Sequence, residues 1–334
     1  MFRILSTPNV VGGSSVAMAE SGGFSNVEDS TLLAGAENKE DAASGSKSQK
    51  GAINSAGHKL TLSRRLHDHF LECKMGRHSH VTYRGMAKIE KSEPLMAENL
   101  KRGFDLAKAI IQDALQTLTE PSACLKVVEG YIGHGSECNI DTLRKKFLEV
   151  EKGVNFYANH PEKVVAVGGE GKASVSYNGC VLEPKEKANI YLNIRSVVDR
   201  DVETTASLIL HEVSHAYANT SDFYYIKSEA DYMWASMYKS GHVDEALLRQ
   251  AQATAASDID NKARAIVEGK VPSNYSVSSS GYGMSAADFK AYARMRRFQK
   301  DPEERTRAAM SNADTLAYLA CALSRSRRDQ PDRI

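Results

Sequence analysis

Apolar positions fall into distinct regimes along this chain. From Leu95 to Leu118 the residues Leu100, Phe104, Ala107, Ile111, Ala114 and Leu118 recur at alternating steps of four and three. That spacing follows the helical turn and predicts an amphipathic helix whose stripe faces a core. A second helix is expected from Asp141 to Phe156, carried by Leu143, Phe147, Val150 and Val154. Between Lys163 and Ile194 the period changes. VVAV, ASVSY and NIYLNI are short β-branched or alternating runs, broken by Gly168, Gly169, Gly171, Asn178 and Gly179. They read as a small antiparallel sheet, with Ile190, Leu192 and Ile194 sharing one face. Beyond Asp201 the pattern is helical again, over 202–218, 227–240, 243–268, 285–299 and 303–325. Ser285 with Asp288 resembles a capping box at the start of the fourth of these. No internal repeat is visible. The expected class is α+β, mainly helical, with a small antiparallel or mixed sheet ahead of the helix at 202–218.

The first part of the chain is different. From Gly12 to about Ala56 it is Ser, Gly, Ala, Asn, Glu and Lys with hardly an aromatic residue. Such a segment cannot bury enough apolar surface to offset its ordering entropy, so residues 1–57 are expected to be a disordered leader. Residues 58–94 hold His58, His67, His69, His78 and His80 around Cys73 among many basic residues. They read as a solvated, partly helical linker, with metal binding by this tract as the alternative. One folded domain is expected over 95–328.

Charge and composition narrow the partners. The 43 basic and 42 acidic residues nearly cancel, leaving +1. That balance gives no general electrostatic pull toward nucleic acid or an anionic membrane. No run approaches the ~20 apolar residues that a bilayer span needs. The opening MFRILSTPNVV is cut by Ser6, Thr7, Pro8 and Asn9, which argues against a classical signal peptide. Cys73, Cys124, Cys138, Cys180 and Cys321 are odd in number and widely separated. They read as reduced thiols rather than a disulfide framework, with a Cys138–Cys180 bridge left open.

The candidate chemistry lies in SLILHEVSHAYANTSDFYYIKSEAD, Ser207 to Asp231. On a helix His211 and His215 lie one turn apart and point the same way, while Ile209, Val213 and Ala216 fall on the opposite side. Two neutral imidazoles at this spacing can bind one zinc ion, and Glu212 beside them can move a proton. The plain alternative is two solvent-facing histidines on an ordinary helix. A catalytic zinc needs a third protein ligand. Ser221 stands where one such pattern has a third histidine, Glu229 follows on the next helix, and Asp222 lies in the turn between.

HEVSHAYANTSDFYY resembles the motif of the aspzincin metallopeptidases, the deuterolysin and peptidyl-lysine metalloendopeptidase group: His-Glu-x-x-His, then Gly-Thr-x-Asp-x-x-Tyr-Gly. Asn312-Ala313-Asp314-Thr315-Leu316-Ala317-Tyr318 is similar to that family's Asn-Ala-Asp-x-x-Glu-aromatic segment. The resemblance covers residues 95 to 325. It implies a zincin-like fold and one zinc ion held by His211, His215 and Asp222. It also implies Glu212 as general base and Tyr225 as hydroxyl donor to the oxyanion. Asp314 would bind substrate, attracting a basic side chain after the cut, with Ala317 where the family has a second acid. Asn219 and Ile226 replace the two motif glycines, and the connection from His215 to Asp222 is short. In similar zinc peptidases an edge strand placed like NIYLNI pairs with the extended substrate. An interior strand is the equal alternative. The implied activity is a zinc-dependent metalloendopeptidase acting on a protein or peptide. The leader and the missing signal sequence suggest a bacterial effector or toxin, secreted without a classical signal peptide and delivered into another cell. The alternative is a catalytically inactive, metal-binding interaction protein, against which the intact Glu212 argues.

Overall fold

The computed structural model describes residues 80–133, 139–169, 178–181, 185–240, 244–270 and 296–329. The leader, the tract from His58 to His78, the ASVSY run, and the 285–299 helix as far as residue 295, with its capping box, lie outside the described residues.

The architecture is mainly helical with one small sheet. Strands β1 (His80–Arg84), β2 (Val164–Gly169), β3 (Gly179–Val181) and β4 (Ile190–Asn193) lie in the order β1-β2-β4-β3. β1 pairs antiparallel with β2, β2 runs parallel to β4, and β3 returns antiparallel to β4. The sheet is therefore mixed. A parallel pair needs a long crossover, and the stretch between β2 and β4 supplies it while leaving β3 at the edge. NIYLNI is thus an interior strand, between β2 and β3, and not an edge. Val164, Ala166, Ile190 and Leu192 face the main core, whereas Val165, Val167 and Tyr191 form a separate cluster on the other face with Cys180. That is the period of two that the sequence displayed.

The ordered fold also starts earlier than residue 95. β1 and the short helix α1 (Met86–Ser92) belong to it, since β1 is hydrogen-bonded to β2 along its whole length. Sequence pattern missed this strand because a five-residue edge with mixed polarity carries little periodicity.

The helical core is built around the helix that bears the histidines. α2 (Pro94–Thr117) buries Leu100, Phe104, Ala107, Ile111 and Ala114, the expected stripe. α3 (Pro121–Ile132) and α4 (Ile140–Asn159) follow. α5 (Ile194–Val198) is short, and α6 (Val202–Tyr217) then runs through the middle of the domain. Asp201 caps α6 by accepting a hydrogen bond from the Thr204 amide at 2.7 Å. Neighbouring helices approach α6 closely through glycine. A Cβ on Gly153 of α4 would sit 2.5 Å from Val213 Cγ1, and one on Gly103 of α2 would sit 2.6 Å from Thr205 Cγ2. Either substitution forces the helices apart. Ile209 and Val213 are fully buried on this side, which leaves the histidines on the other.

α7 (Glu229–Ser240) and α8 (Glu245–Val267) form a pair with a small cluster of their own, Trp234 with Leu248. The single helix expected over 303–325 is instead two, α9 (Pro302–Met310) and α10 (Ala313–Arg328). The break falls at Ser311 and Asn312, and Asn312 is extended with φ −94° and ψ 128°. That break brings a polar segment to the histidines.

Candidate metal centre

His211 and His215 project from one face of α6, their ring planes almost perpendicular at 85°. Each ring nitrogen Nδ1 is occupied from behind. His211 Nδ1 lies 2.6 Å from Asp314 Oδ1, and His215 Nδ1 lies 3.0 Å from the Thr220 carbonyl oxygen. Acceptors on both Nδ1 atoms fix the tautomer that leaves each Nε2 with a free lone pair. The two Nε2 atoms are 3.1 Å apart, and Asp222 Oδ1 stands 3.2 Å from one and 3.3 Å from the other. In the neutral tautomers three acceptor atoms therefore converge, an arrangement satisfied by positive charge at its centre, carried either by protons on the imidazoles or by a metal ion. A tetrahedral ion with bonds of about 2.0–2.1 Å sets its ligands about 3.3–3.4 Å apart. The observed separations, 3.1 to 3.3 Å, lie at or just below that spacing. His211, His215 and Asp222 form a group that can hold a metal ion.

Asp222 sits in a loop, and the fold fixes that loop on both sides. α6 ends at Ala218, and Asn219 then takes φ 52°, the left-handed region that favours glycine and, among other residues, asparagine. The replacement of the motif glycine by Asn219 is thus compatible with the turn. Ser214 Oγ and Thr220 Oγ1 pair at 2.8 Å, tying the turn back to the helix. Ser221 bridges to Asn312: its amide donates to the Ser311 carbonyl at 2.9 Å and its carbonyl accepts from the Ala313 amide at 3.2 Å. Asn312 Oδ1 then accepts from the amides of Phe223 and Tyr224 at 3.0 and 3.2 Å. Asp222 lies between these two anchors.

Asp314 stands behind His211. Its second oxygen, Oδ2, accepts from the Ile226 amide at 2.7 Å, and the residue is 9% exposed. Both oxygens are committed to protein donors, so the carboxylate is no free acceptor for an incoming ammonium. Its place is that of a group orienting a ligand and closing the loop. This differs from the substrate-binding position that the resemblance implies. Neighbouring Thr315 Oγ1 meets the Tyr224 hydroxyl at 2.9 Å. Asn312, Asp314 and Thr315 thus act together on residues 221–226.

Glu212 faces the sheet. Its Oε1 is 4.0 Å from His211 Nε2, while Oε2 is buried without a hydrogen-bond partner. β3 packs directly on it: a Cβ on Gly179 would sit 2.4 Å from Glu212 Oε1. Only glycine fits there. Burial raises the Glu212 pKa to about 7, against the pull of both imidazoles. Burial works to lower the His211 and His215 pKa values, but the surrounding carboxylates together outweigh it, Asp222, Asp314 and Glu212 at His211 and Asp222 and Glu212 at His215, so both are raised. Asp222 goes the other way. Desolvation opposes its ionisation, and the two imidazoles hold its pKa far below the ordinary carboxylate value.

Tyr225 projects at the open side, 36% exposed, with its ring stacked 6.3 Å from that of His211. Its hydroxyl hydrogen-bonds to Asp222, and burial raises its pKa with the nearby carboxylates adding to the effect. Phe223 is exposed beside it, and Lys227 Nζ lies 5.5 Å above the Tyr225 ring. Glu229 stands apart: its side chain is 73% exposed and pairs with Lys262 at 3.0 Å. The structure thus brings His211, Glu212, His215, Asp222 and Tyr225 together and leaves Glu229 outside. Sequence reasoning missed Asn312, Thr220 and Gly179 as parts of the site, although the first two lie inside the quoted motifs.

Cys124, Cys180 and Cys321 take part in no disulfide among the described residues; Cys73 and Cys138 lie outside them. Among the described residues no helix is long and apolar enough to cross a membrane. No protein-family model, no curated protein and no solved structure matches the chain.

Proposed function

We propose that the protein is a zinc-dependent metallopeptidase of the aspzincin kind, cutting peptide bonds in a protein or peptide substrate. One observation carries the reading: His211 Nε2, His215 Nε2 and Asp222 Oδ1 converge at 3.1–3.3 Å with the Glu212 carboxyl beside them. A donor set of two imidazoles and one carboxylate, three protein ligands rather than four, supports the reading as a catalytic zinc.

A bound zinc ion would supply a Lewis acid for the scissile carbonyl and would acidify water toward neutrality. The remaining work falls to the chain. Glu212, with a pKa near 7 and one oxygen free of hydrogen bonds, can accept a proton and return it to the leaving amine. Tyr225, protonated at any physiological pH, can turn its hydroxyl from Asp222 to a developing oxyanion. Asp314 and the Thr220 carbonyl hold the imidazoles in the tautomer that faces the centre. Phe223 and Tyr225 offer an exposed aromatic surface at the mouth for the substrate chain.

A metal-holding but non-hydrolytic role is the second reading, favoured by Glu212 being only 2% exposed. One experiment separates the two. Zinc content and cleavage of a mixed peptide library are measured for the full chain, His211→Ala and Glu212→Gln. The peptidase reading expects one zinc per chain, lost in His211→Ala. It expects cleavage to fall about 100- to 10,000-fold in Glu212→Gln while the zinc stays. Zinc without any Glu212-dependent cleavage establishes the second reading, and full zinc in His211→Ala overturns both.

A further inference from the structure

α6 has a second end. One turn below His211 on the same face lies Ser207, then Thr204 and Glu203, and these line a cavity of about 290 Å³ enclosed by α2, α7, α8 and α10. The metal centre contributes nothing to its walls. Tyr318, one turn along α10 from Asp314, lines the cavity, whereas Asp314 and His211 do not.

The floor is apolar. Ile110, Trp234, Leu248 and Ile259 line it, all buried. Most charges on the walls are already committed. Arg200 pairs with Asp231 at 2.9 Å and its guanidinium stacks 4.3 Å from the Trp234 ring. Arg325 pairs with Asp260 at 2.9 Å, and Asp201 is engaged as the cap of α6. Two charges remain. Glu203 in the first turn of α6 and Arg328 in the last turn of α10 are both exposed at the rim. Among the described residues neither has an ion partner. They are opposite in sign, border the same opening, and both act on the Cys321 thiol between them.

Arg328 donates only a long hydrogen bond, 3.5 Å, from Nε to the Ser324 carbonyl, and an apolar pocket with such an anion and cation at its mouth is complementary to a molecule with the same three parts. We propose that this cavity binds a small zwitterion with an apolar side chain, the α-amino-acid class represented by L-leucine. Its ammonium meets Glu203, its carboxylate meets Arg328, and its side chain rests on Trp234, Leu248 and Ile259. Both polar contacts are charge-assisted, the stronger kind of hydrogen bond. The volume lies at the lower end of small-molecule sites, about 300–1,000 Å³, which suits a single amino acid and is tight for a large cofactor. This inference does not depend on the metal reading.

Trp234 is the one tryptophan in the chain, so its fluorescence reports the cavity directly. Metal-free full-length protein is titrated with L-leucine, N-acetyl-leucine and leucinamide. The titrations are repeated with Glu203→Gln, Arg328→Gln and His211→Ala. The expected result is a saturable change with leucine that is unaltered in His211→Ala. Losing either charge, on the ligand or on the protein, weakens binding about two- to fivefold, the worth of an ion pair at a solvent-exposed rim. Absence of a saturable change through the millimolar range overturns the proposal. So does equal binding of the blocked ligands, indifference to both rim substitutions, or a response that vanishes in His211→Ala and therefore belongs to the metal centre. Both rim side chains are exposed, so their replacement leaves the fold intact.

Discussion

The two ends of α6 solve different problems with the same helix face. At its C-terminal end almost every polar atom has a partner: Asp314 uses both oxygens, Asn312 Oδ1 takes two amides, and Thr220 holds His215. At its N-terminal end there is volume, an apolar floor and two charges that have no ion partner among the described residues. A point cation is selected by lone pairs held at fixed distances, so the first site consists of constraints. A many-atom ligand is selected by shape and by charge at separated points, so the second consists of space. The contrast also explains why the candidate metal ligands lie outside the walls of the cavity. Substitutions at one end should leave the other untouched, because sites without shared partners behave additively.

The sharpest way to break this contrast is to remove the loop ligand. Asp222→Ala should abolish stoichiometric metal binding, a loss of more than about 100-fold, while Glu229→Ala should change nothing. Competition with a chelator measures both. Glu229 is paired with Lys262 in solvent, so a dominant effect there would move the third ligand to α7.

The Glu212 carboxyl sharpens the contrast through pH. Its folded-state pKa of about 7 lies above its ordinary 4.5, so the folded state holds a proton that the unfolded state releases. Stability from this group is full below about pH 4.5 and declines as pH rises through 7. Glu212→Gln should therefore stabilise the metal-free protein above pH 7, by a few kcal/mol at most. The gain should vanish near pH 4. Thermal midpoints of both proteins across that range give the answer, and a pH-independent difference would mean that Glu212 is not buried as described.

How much of this was legible beforehand follows from the kind of signal each part carries. The stripe from Leu100 to Leu118 and the opposed faces of α6 are periodic, and periodicity survives in a single sequence. The three donors were readable because their spacing in the chain is short. The clamp was not. Asn312 and Asp314 lie roughly ninety residues from the loop that they hold, and the helical pattern runs smoothly across the break at Ser311. Likewise the role of Gly179 depends on which strand packs over Glu212. A sequence shows a glycine there, but only the tertiary arrangement shows what a Cβ would strike.

The clamp itself makes the next prediction. Asp314→Asn keeps the shape of the side chain but removes the charge behind His211, and Asn312→Ala frees the amides of Phe223 and Tyr224. Groups that orient metal ligands typically matter about 10- to 100-fold in affinity. Both variants should lose metal affinity on that scale while the leucine titration of the cavity stays as in the unaltered protein. If Asp314→Asn binds metal normally and instead changes only which residue follows the cleaved bond, Asp314 lines the substrate site after all.

The smallest effect is expected at Asn219. Its φ of 52° places it in the left-handed region directly after α6, and the next residue, Thr220, supplies the carbonyl that His215 Nδ1 faces. Asparagine tolerates this conformation better than other residues with a side chain, and glycine adopts it freely. Asn219→Gly should therefore be nearly neutral in thermal stability and in metal affinity. Asn219→Ala keeps a Cβ in the left-handed conformation but removes the amide that compensates for it, which costs about 1 kcal/mol. That strain acts on the turn between the second histidine and Asp222, so part of it should appear as weaker metal binding, by a factor of about five at most. Chelator competition and thermal midpoints on the two variants measure the split. If alanine is tolerated as well as glycine, the turn does not hold this conformation, and the alignment of the Thr220 carbonyl with His215 needs another cause.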